Sequence, residues 1–409
     1  MTAGSDLLGA VRSALGDGTD VVDLVETASR IAWSTIAEPG DAVAGELVTV
    51  LGPERALGAV LEAADSGVVG DLLGRCVESG VAGSEDAVAF GAVLVAAVER
   101  WTPRLGRSDV AEVLAAARRV GAALLVPGAS GWPDAVDDLG PHAPLVLWSR
   151  SSAATAGPGL AVVGSRANTV AGAEAAAEIA STAVDAGCSV ISGGAYGIDA
   201  VAHRVSIAAG ASTTAVLAGG IDQLYPAGNV ELLRNVARQG ALLAESPPGT
   251  RPTRWRFLAR NRLIAALADV TVVVEAGARS GALNTAHHAA QLGRPVFAVP
   301  GAFSSSASVG CHRLVAQGRA QLVVRPRDPV DAAVASTTPF TVDRRDEPLT
   351  GARHDPEVLR VLDALGRRAM SDHEVAGRSG MSLAEVADAL ALAQLQGLVV
   401  HTSGGWARA

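Results

Sequence analysis

The stretch LAVVGSRANTVAGAEAAAEIASTAVDAGCSVISGG, residues 160–194, decides the fold class of this chain. It begins with a short apolar run, passes through a glycine-containing loop and an alanine-rich helical stretch, and returns to a second apolar run. Short buried runs that alternate with helical stretches are typical of strand–helix–strand units around a parallel sheet. The stretch therefore predicts the first of several such units.

The same alternation continues toward the C-terminus. Seven runs read as strands: Leu160–Val163, Ser189–Ser192, Thr213–Leu217, Leu242–Ala244, Val270–Glu275, Pro295–Val299 and Gln321–Val324. Six or seven parallel strands fit one sheet with helices on both faces. We therefore predict the α/β class, with an extended Rossmann domain over residues 113–325 built on a doubly wound, mostly parallel sheet. Residues 113–150, with the run Leu145–Trp148, form its extension.

Two flanking regions lack this strand pattern. Residues 1–112 place apolar and small residues at helical spacing, which predicts an N-terminal helical domain. Within it, Arg30–Val60 fits two helices of the helix-hairpin-helix or SAM-like kind, and its acidity favours a role other than DNA binding. Residues 326–354 are rich in Pro, Asp, Arg and Thr and show no apolar period, which predicts a linker.

Residues 355–409 predict a winged-helix domain. A helical pattern is followed by two capping boxes, Ser371 with Glu374 and Ser382 with Glu385, and then by two short strand-like runs. The second capped helix carries Glu385 and Asp388 and no arginine. This favours a protein contact over binding in the major groove of DNA.

Charge is distributed unevenly over the 409 residues. All 33 basic residues are arginine, and the net charge of the whole chain is -9. Residues 1–150 hold 21 acids and 10 arginines, residues 151–330 hold 10 acids and 15 arginines, and residues 331–409 hold 11 acids and 8 arginines. A basic middle region in an acidic chain indicates a localised anion site, although solvated arginines scattered by chance would give the same totals.

The cysteines and the N-terminus indicate a cytoplasmic protein. Cys76, Cys188 and Cys311 are far apart and form no CxxC pair, so we expect reduced core residues. The first ten residues lack the basic and apolar segments of an export signal. The longest uncharged stretch, Val205–Ile221, is too short and too polar to span a bilayer, so no membrane partner is expected.

Glycines follow four of the predicted strands. They lie in Gly164-Ser165-Arg166, Gly193-Gly194, Gly219-Gly220 and at Gly301. Because ligands bind beyond the carboxyl ends of parallel strands, where glycine lets backbone N–H groups approach closely, these loops predict a phosphate-binding edge. Ordinary turn chemistry is the alternative for each loop taken singly.

The usual cofactor and catalytic motifs are missing from the sequence. Gly164 does not open a GxGxxG fingerprint, and no Walker A motif occurs. His287 and His288 are adjacent and would diverge on a helix, which makes them a poor metal pair. Asp199 and His203 fit an ordinary helical pair. We therefore expect no cofactor, no metal site and no catalytic residue.

The most informative segment is RPTRWRFLARNR, Arg251–Arg262, which we call the arginine segment. It holds five arginines, no acid, and the rings of Trp255 and Phe257. Single-stranded nucleic acid is bound by cations that contact phosphates and flat rings that stack on bases. A cluster of structural arginines paired with distant acids, beside a buried Trp255, is the alternative.

A second cationic loop, EAGARSGALNTA, covers Glu275–Ala286. It follows the fifth predicted strand and leads into a helix. Arg279, Ser280, Gly281, Asn284 and Thr285 supply hydrogen-bond donors at the start of that helix. We expect this loop to face the same edge as the arginine segment.

Together the motifs resemble the DNA-processing protein A (DprA/Smf) family of bacteria. They are GSR at Gly164–Arg166, SGGAYGID at Ser192–Asp199, YPAGN at Tyr225–Asn229, FLARNRLIAAL at Phe257–Leu267, EAGARSGALNTA at Glu275–Ala286 and GRPVFAVPG at Gly293–Gly301. The resemblance implies a protein without enzymatic activity that binds and protects incoming single-stranded DNA during transformation. It also implies a homodimer formed through the Rossmann domain, and help in loading the recombinase RecA.

The resemblance also implies site residues, which with the glycine pair Gly193 and Gly194 make one candidate set. Gly164, Ser165 and Arg166 would hold a phosphate, Arg254, Phe257, Arg260, Asn261 and Arg262 would line the path of the strand, and Arg279, Ser280 and Gly281 would complete the pocket. The chain departs from the family where Ala227 and Arg279 replace frequent lysines and Leu258 replaces a frequent proline.

Two other functions are compatible with a glycine-edged Rossmann sheet. One is a nucleotide-processing enzyme similar to the phosphoribohydrolases, although their PGGxGTxxE motif is absent and Ser192-Gly193-Gly194 is only a partial match. In that case Glu275 would be needed for release of free base. The other is an interaction protein whose acidic flanks carry the function.

Overall fold

A computed structural model describes residues 2–15, 23–80, 87–106, 109–151, 157–337, 356–366, 368–402 and 404–409. The chain divides into two compact units, residues 1–339 and residues 340–409. The first unit holds both the helical region and the sheet. The separate boundaries of the 1–112 and 113–325 domains stay a prediction.

The first part of unit one is helical, as its apolar spacing predicts. Its helices are α1 (Thr2–Leu15), α2 (Leu24–Ile36), α3 (Ala42–Leu51), α4 (Pro53–Ser66), α5 (Gly70–Glu78), α6 (Ala87–Trp101) and α7 (Val110–Arg119). Asp23 and Asp41 accept backbone N–H bonds at the starts of α2 and α3. Trp33 and Trp101 meet edge to face at 5.1 Å inside its core. The SAM-like assignment stays a prediction.

The remaining described part of unit one is built on a nine-stranded sheet. Its strands are β1 (Ala123–Leu125), β2 (Leu147–Ser151), β3 (Gly159–Val163), β4 (Ser189–Ser192), β5 (Thr213–Leu217), β6 (Ala241–Ala244), β7 (Val270–Val273), β8 (Val296–Ala298) and β9 (Gln321–Leu322). All seven predicted strands are present, some shorter than predicted. They are parallel, whereas β1 and β2 of the extension add antiparallel pairs beside β6.

Helices cover both faces of the sheet, which confirms the doubly wound prediction. They are α8 (Val170–Asp185), α9 (Ile198–Ala208), α10 (Val230–Gln239), α11 (Arg254–Leu267), α12 (Ala282–Gln291), α13 (Val309–Ala316) and α14 (Arg327–Thr337). Leu160 and Val162 of β3 pack in the core that includes α8, and Ala161 and Val163 pack in the core that includes α11 and α12. This alternation is what a strand buried on both faces requires.

The linker prediction for residues 326–354 was wrong over residues 327–337. These residues form α14, whose Val330 and Ala333 are fully buried in the core with β3 and β7. Two apolar positions one turn apart suffice to fix this helix against the sheet, although they make no visible period in the sequence. Residues 338–354 lie outside the described residues.

The second unit contains three described helices and a hairpin. They are α15 (Pro356–Ala364), α16 (Asp372–Ser379), α17 (Leu383–Leu395), β10 (Val399–Thr402) and β11 (Gly405–Arg408). Both predicted capping boxes are present, at the starts of α16 and α17. This order of helices and hairpin is compatible with a winged helix, which stays a prediction. Across the described ranges, every helix is too short or too polar to cross a bilayer.

Candidate nucleic-acid interface

A cleft of about 930 Å³ lies beyond the carboxyl ends of β3 and β7. These two parallel strands are neighbours inside the sheet. The chain leaves β3 toward α8 on one face and leaves β7 toward α12 on the other, so the connecting loops separate and open a crevice. Its lining includes Gly164, Ser165, Arg166, Pro252, Thr253, Arg254, Phe257, Leu258, Asn261, Arg279, Ser280, Gly281, Asn284 and Thr285.

The loop after β3 requires glycine because the backbone is crowded there. A Cβ at Gly164 would lie 2.6 Å from the Ile198 side chain and 3.1 Å from the Glu275 carbonyl oxygen. The next residue, Ser165, accepts the Ile198 N–H through its own carbonyl oxygen. These contacts fix the loop at the start of α8, whose free N–H groups favour anions.

Arg166 lies over the ring of Phe257 at the cleft. Its guanidinium carbon is 4.6 Å from the ring centroid, and the Arg166 side chain is exposed. Tyr225 lies on the same ring, with centroids 5.7 Å apart. A cation and two rings thus share one wall, so a base could stack where a phosphate is also within reach.

Arg254 and Arg279 add exposed cations at the starts of α11 and α12. Within the described ranges, neither they nor Arg166 form an ion pair with an acid. Asn261 lies one turn after Phe257 and donates to the Gly281 carbonyl oxygen and to Asn284 Oδ1. This bond joins the arginine segment to the second cationic loop, so both predicted loops meet at one cleft.

The prediction that Arg260 lines the path of the strand was wrong. Its side chain is buried and donates to the carbonyl oxygens of Gly193 and Val216, at the ends of β4 and β5. Burial lowers the pKa of Arg260 to about 10, against the opposing effect of the Asp199 charge. Burial raises the pKa of Asp199, although Arg260 and the backbone N–H groups of Gly193 and Ala195 oppose the rise. Arg260 therefore joins strands beneath the cleft.

The glycine pair belongs to the same buried network and does not line the cleft. A Cβ at Gly193 would lie 2.4 Å from the Arg260 guanidinium. Gly194 has φ +66° and would place a Cβ 2.7 Å from Leu233. Both glycines make room for packing, which corrects their prediction as ligand contacts.

Arg262 is likewise not a cleft residue. Its guanidinium is buried and forms a two-bond ion pair with Glu245, at 2.7 Å for each bond. It also donates to the His142 carbonyl oxygen. The alternative of structural arginines is therefore correct for Arg262. The same alternative expected a buried Trp255, which is wrong because that side chain is 62% exposed.

Sequence reasoning missed Tyr225 as a cleft residue. It follows β5 in the YPAGN motif and reaches the ring of Phe257 from another loop. Asp199 also lines the cleft, although nearly all of its side chain is buried. An aromatic residue directly after a strand-end glycine loop was the signal available for Tyr225.

The surroundings of Glu275 do not support the alternative of a nucleotide-processing enzyme. Glu275 is buried, and its carboxylate accepts the backbone N–H and the hydroxyl of Thr169 at 3.0 and 2.5 Å. It thereby holds the residue that caps α8. In the described part of the chain, no group of three or more His, Cys, Asp or Glu side chains could hold a metal ion.

Comparisons with known proteins agree with the motifs. The family model described as DNA recombination-mediator protein A matches residues 123–333. A putative DNA processing protein DprA of Mycobacterium tuberculosis is 41% identical over 395 residues, which is 92% of this chain and 93% of the relative. The DNA processing protein DprA of Bacillus subtilis is 34% identical over 54% of this chain and 73% of its own length.

A solved structure extends the agreement to the fold. The X-ray structure of DNA processing protein A from Streptococcus pneumoniae superposes with a TM-score of 0.56 and 26% identity, covering 77% of this chain and 98% of that one. Since the family model spans more than half of the chain and the mycobacterial relative nearly all of it, this chain belongs to the DNA recombination-mediator protein A (DprA/Smf) family.

Proposed function

We propose that the chain binds single-stranded DNA in the cleft between β3 and β7 and protects incoming strands during natural transformation. The observation that carries the proposal is the exposed Arg166 guanidinium stacked on Phe257, with the unpaired cations of Arg254 and Arg279 at the same cleft. Cations that lack acidic partners are available to phosphates.

The rings favour a single strand over a duplex. Bases in a duplex are stacked on one another, whereas an unpaired strand exposes both faces of each base. Phe257 and Tyr225 offer aromatic surface inside a cleft, where an intact helix would have to unstack to reach them. The N-terminal ends of α8, α11 and α12 add partial positive charge, which favours the phosphates of the bound strand.

The partners and location in the proposal rest on family membership. Relatives named DNA processing protein support a role in recombination, and we include loading of RecA, a homodimer through the Rossmann domain and a cytoplasmic location as parts of the proposal. Loading predicts that adding the protein shortens the delay before RecA hydrolyses ATP on single strands covered by a single-strand-binding protein. An unchanged delay would contradict the loading of RecA and leave the proposal of single-strand binding in place.

Replacing Arg254 by alanine will weaken oligonucleotide binding about fivefold at low salt, because one phosphate contact is lost. Fluorescence anisotropy of a labelled oligothymidylate, measured over a salt series, is the assay. The slope of log affinity against log salt should fall by about 0.7.

The matched control for this change is Arg234→Ala. Arg234 is an exposed arginine on α10 that pairs with Glu231 and does not line the cleft. We expect its affinity and salt slope to equal those of the parent. Equal losses in the two variants would show that general charge, and not the cleft, binds the strand.

A further inference from the structure

A two-bond ion pair joins the N-terminal helical region to the arginine segment. Glu38 lies between α2 and α3, and Arg256 lies in the first turn of α11. Arg256 Nε donates to Glu38 Oε2 at 3.0 Å, and Arg256 Nη2 donates to Glu38 Oε1 at 2.9 Å. This fork geometry fixes the orientation of the guanidinium as well as its position.

The same guanidinium supports one wall of the cleft. Arg256 Nη1 donates to the Arg251 carbonyl oxygen at 2.9 Å. Pro252, Thr253 and Arg254, which follow directly, line the cleft. On the other side of Arg251, the Thr250 carbonyl oxygen accepts the Gly220 N–H at 2.8 Å. The N-terminal end of the wall is thus held twice, once by the loop after β5 and once by Arg256.

Glu38 is itself held in place by a second arginine. Arg104 Nη2 donates to Glu38 Oε1 at 2.7 Å, and Arg104 Nη1 donates to the Ile36 carbonyl oxygen at 3.0 Å. The side chains of Glu38 and Arg256 are 29% and 20% exposed. Since Arg256 is ion-paired and each of its three nitrogens donates a hydrogen bond, it is less available to a phosphate than Arg254 is.

We propose that Glu38 is a positioning residue for DNA binding, through which the helical region keeps the wall Arg251–Arg254 in its binding conformation. The proposal rests on the proposed function, because it concerns the affinity of the same cleft. A wall that is ordered before binding pays less conformational entropy when the strand arrives. Loss of Glu38 therefore lowers affinity although it removes a negative charge from a DNA-binding protein.

The sign of this effect separates positioning from simple electrostatics. If Glu38 acted only through its charge, Glu38→Gln would bind DNA more tightly and with a steeper salt dependence. Under the proposal, Glu38→Gln binds oligothymidylate about fivefold more weakly, while the salt slope stays that of the parent because no phosphate contact is lost.

Arg256→Lys and Arg256→Gln supply the second arm of the test. Lysine keeps the charge but cannot form the fork and reach the Arg251 carbonyl oxygen together. We expect both variants to lose affinity equally, with unchanged salt slopes. If lysine restores parent affinity, Arg256 contacts phosphate and the proposal is wrong.

Controls keep the outcomes separable. Arg75→Gln breaks the exposed ion pair with Glu62, which joins α5 to α4 in the same helical region, and should bind as the parent does. Unfolding midpoints confirm that each variant is folded at the assay temperature. Parent-like binding by Glu38→Gln overturns the positioning role alone, whereas a parent protein that ignores single strands overturns the proposed function.

Discussion

Phe257→Ala will lower the affinity for single-stranded oligonucleotide about 30-fold, the largest binding loss expected from one substitution. Base stacking on an aromatic side chain contributes about 1 to 3 kcal/mol per base, and the same ring supports the Arg166 guanidinium at 4.6 Å. Anisotropy titrations at a fixed low salt concentration measure the change. The salt slope should fall less than in Arg254→Ala, because the ring itself carries no charge.

Two further substitutions of aromatic residues serve as controls for this result. Phe257→Tyr keeps a ring in the same place and should bind within about threefold of the parent. Trp255→Ala removes a larger and more exposed ring that does not line the cleft, and should also have little effect. If Trp255→Ala loses as much affinity as Phe257→Ala, exposed rings in general bind the strand and the cleft assignment is wrong.

Arg260→Met will cause the largest loss of stability, about 3 to 5 kcal/mol of the free energy of unfolding. The substitution removes the cation that acts most strongly on Asp199, and with it the guanidinium that donates to the carbonyl oxygens of Gly193 and Val216. Denaturant unfolding followed by circular dichroism is the measurement. An unfolding midpoint equal to that of the parent would contradict the structural role given to Arg260.

The pH dependence of that loss identifies its cause. Removing the Arg260 charge raises the pKa of Asp199 further above its ordinary value of 3.8, because burial then acts unopposed by this cation. The stability difference between Arg260→Met and the parent should therefore be largest near neutral pH, where the unfolded carboxyl is ionised. This stability difference should shrink as pH falls toward 3.8. Asp199 is then protonated in the folded variant and becomes protonated in the unfolded chain as well.

The double variant Asp199→Asn with Arg260→Met supplies the control. It removes the buried negative charge together with its partner, so it should be more stable than Arg260→Met alone at neutral pH. Its stability should also depend less on pH than that of the single variant.

The parallel strands and the cleft were predictable because they follow from local pattern. Apolar runs form the seven parallel strands, and glycine loops follow some of their carboxyl ends at the edge where the cleft lies. Nine of the thirteen predicted site residues line the cleft, and six of them lie in the loops after β3 and β7, including Ser165 and Ser280. These two loops lie at the same edge of the sheet because β3 and β7 are parallel neighbours.

The assignment of individual arginines failed where tertiary contacts decide. Phe257 and Asn261 lie four residues apart and both line the cleft, whereas Arg260 is turned by about 100° from Asn261 and enters the sheet. Arg256 and Arg262 pair with Glu38 and Glu245, which lie 218 and 17 residues away along the chain. A count of local acids cannot detect such partners, so a basic segment in the sequence overstates the charge that remains free.

Photo-cross-linking tests the central assignment most directly. An oligonucleotide that carries 5-bromodeoxyuridine is irradiated with the full chain, and the modified peptides are mapped by mass spectrometry. We expect cross-links at Phe257 and Tyr225 that disappear with excess unlabelled single strand and persist with excess duplex. Cross-links confined to the N-terminal helices or to residues 356–409 would contradict it.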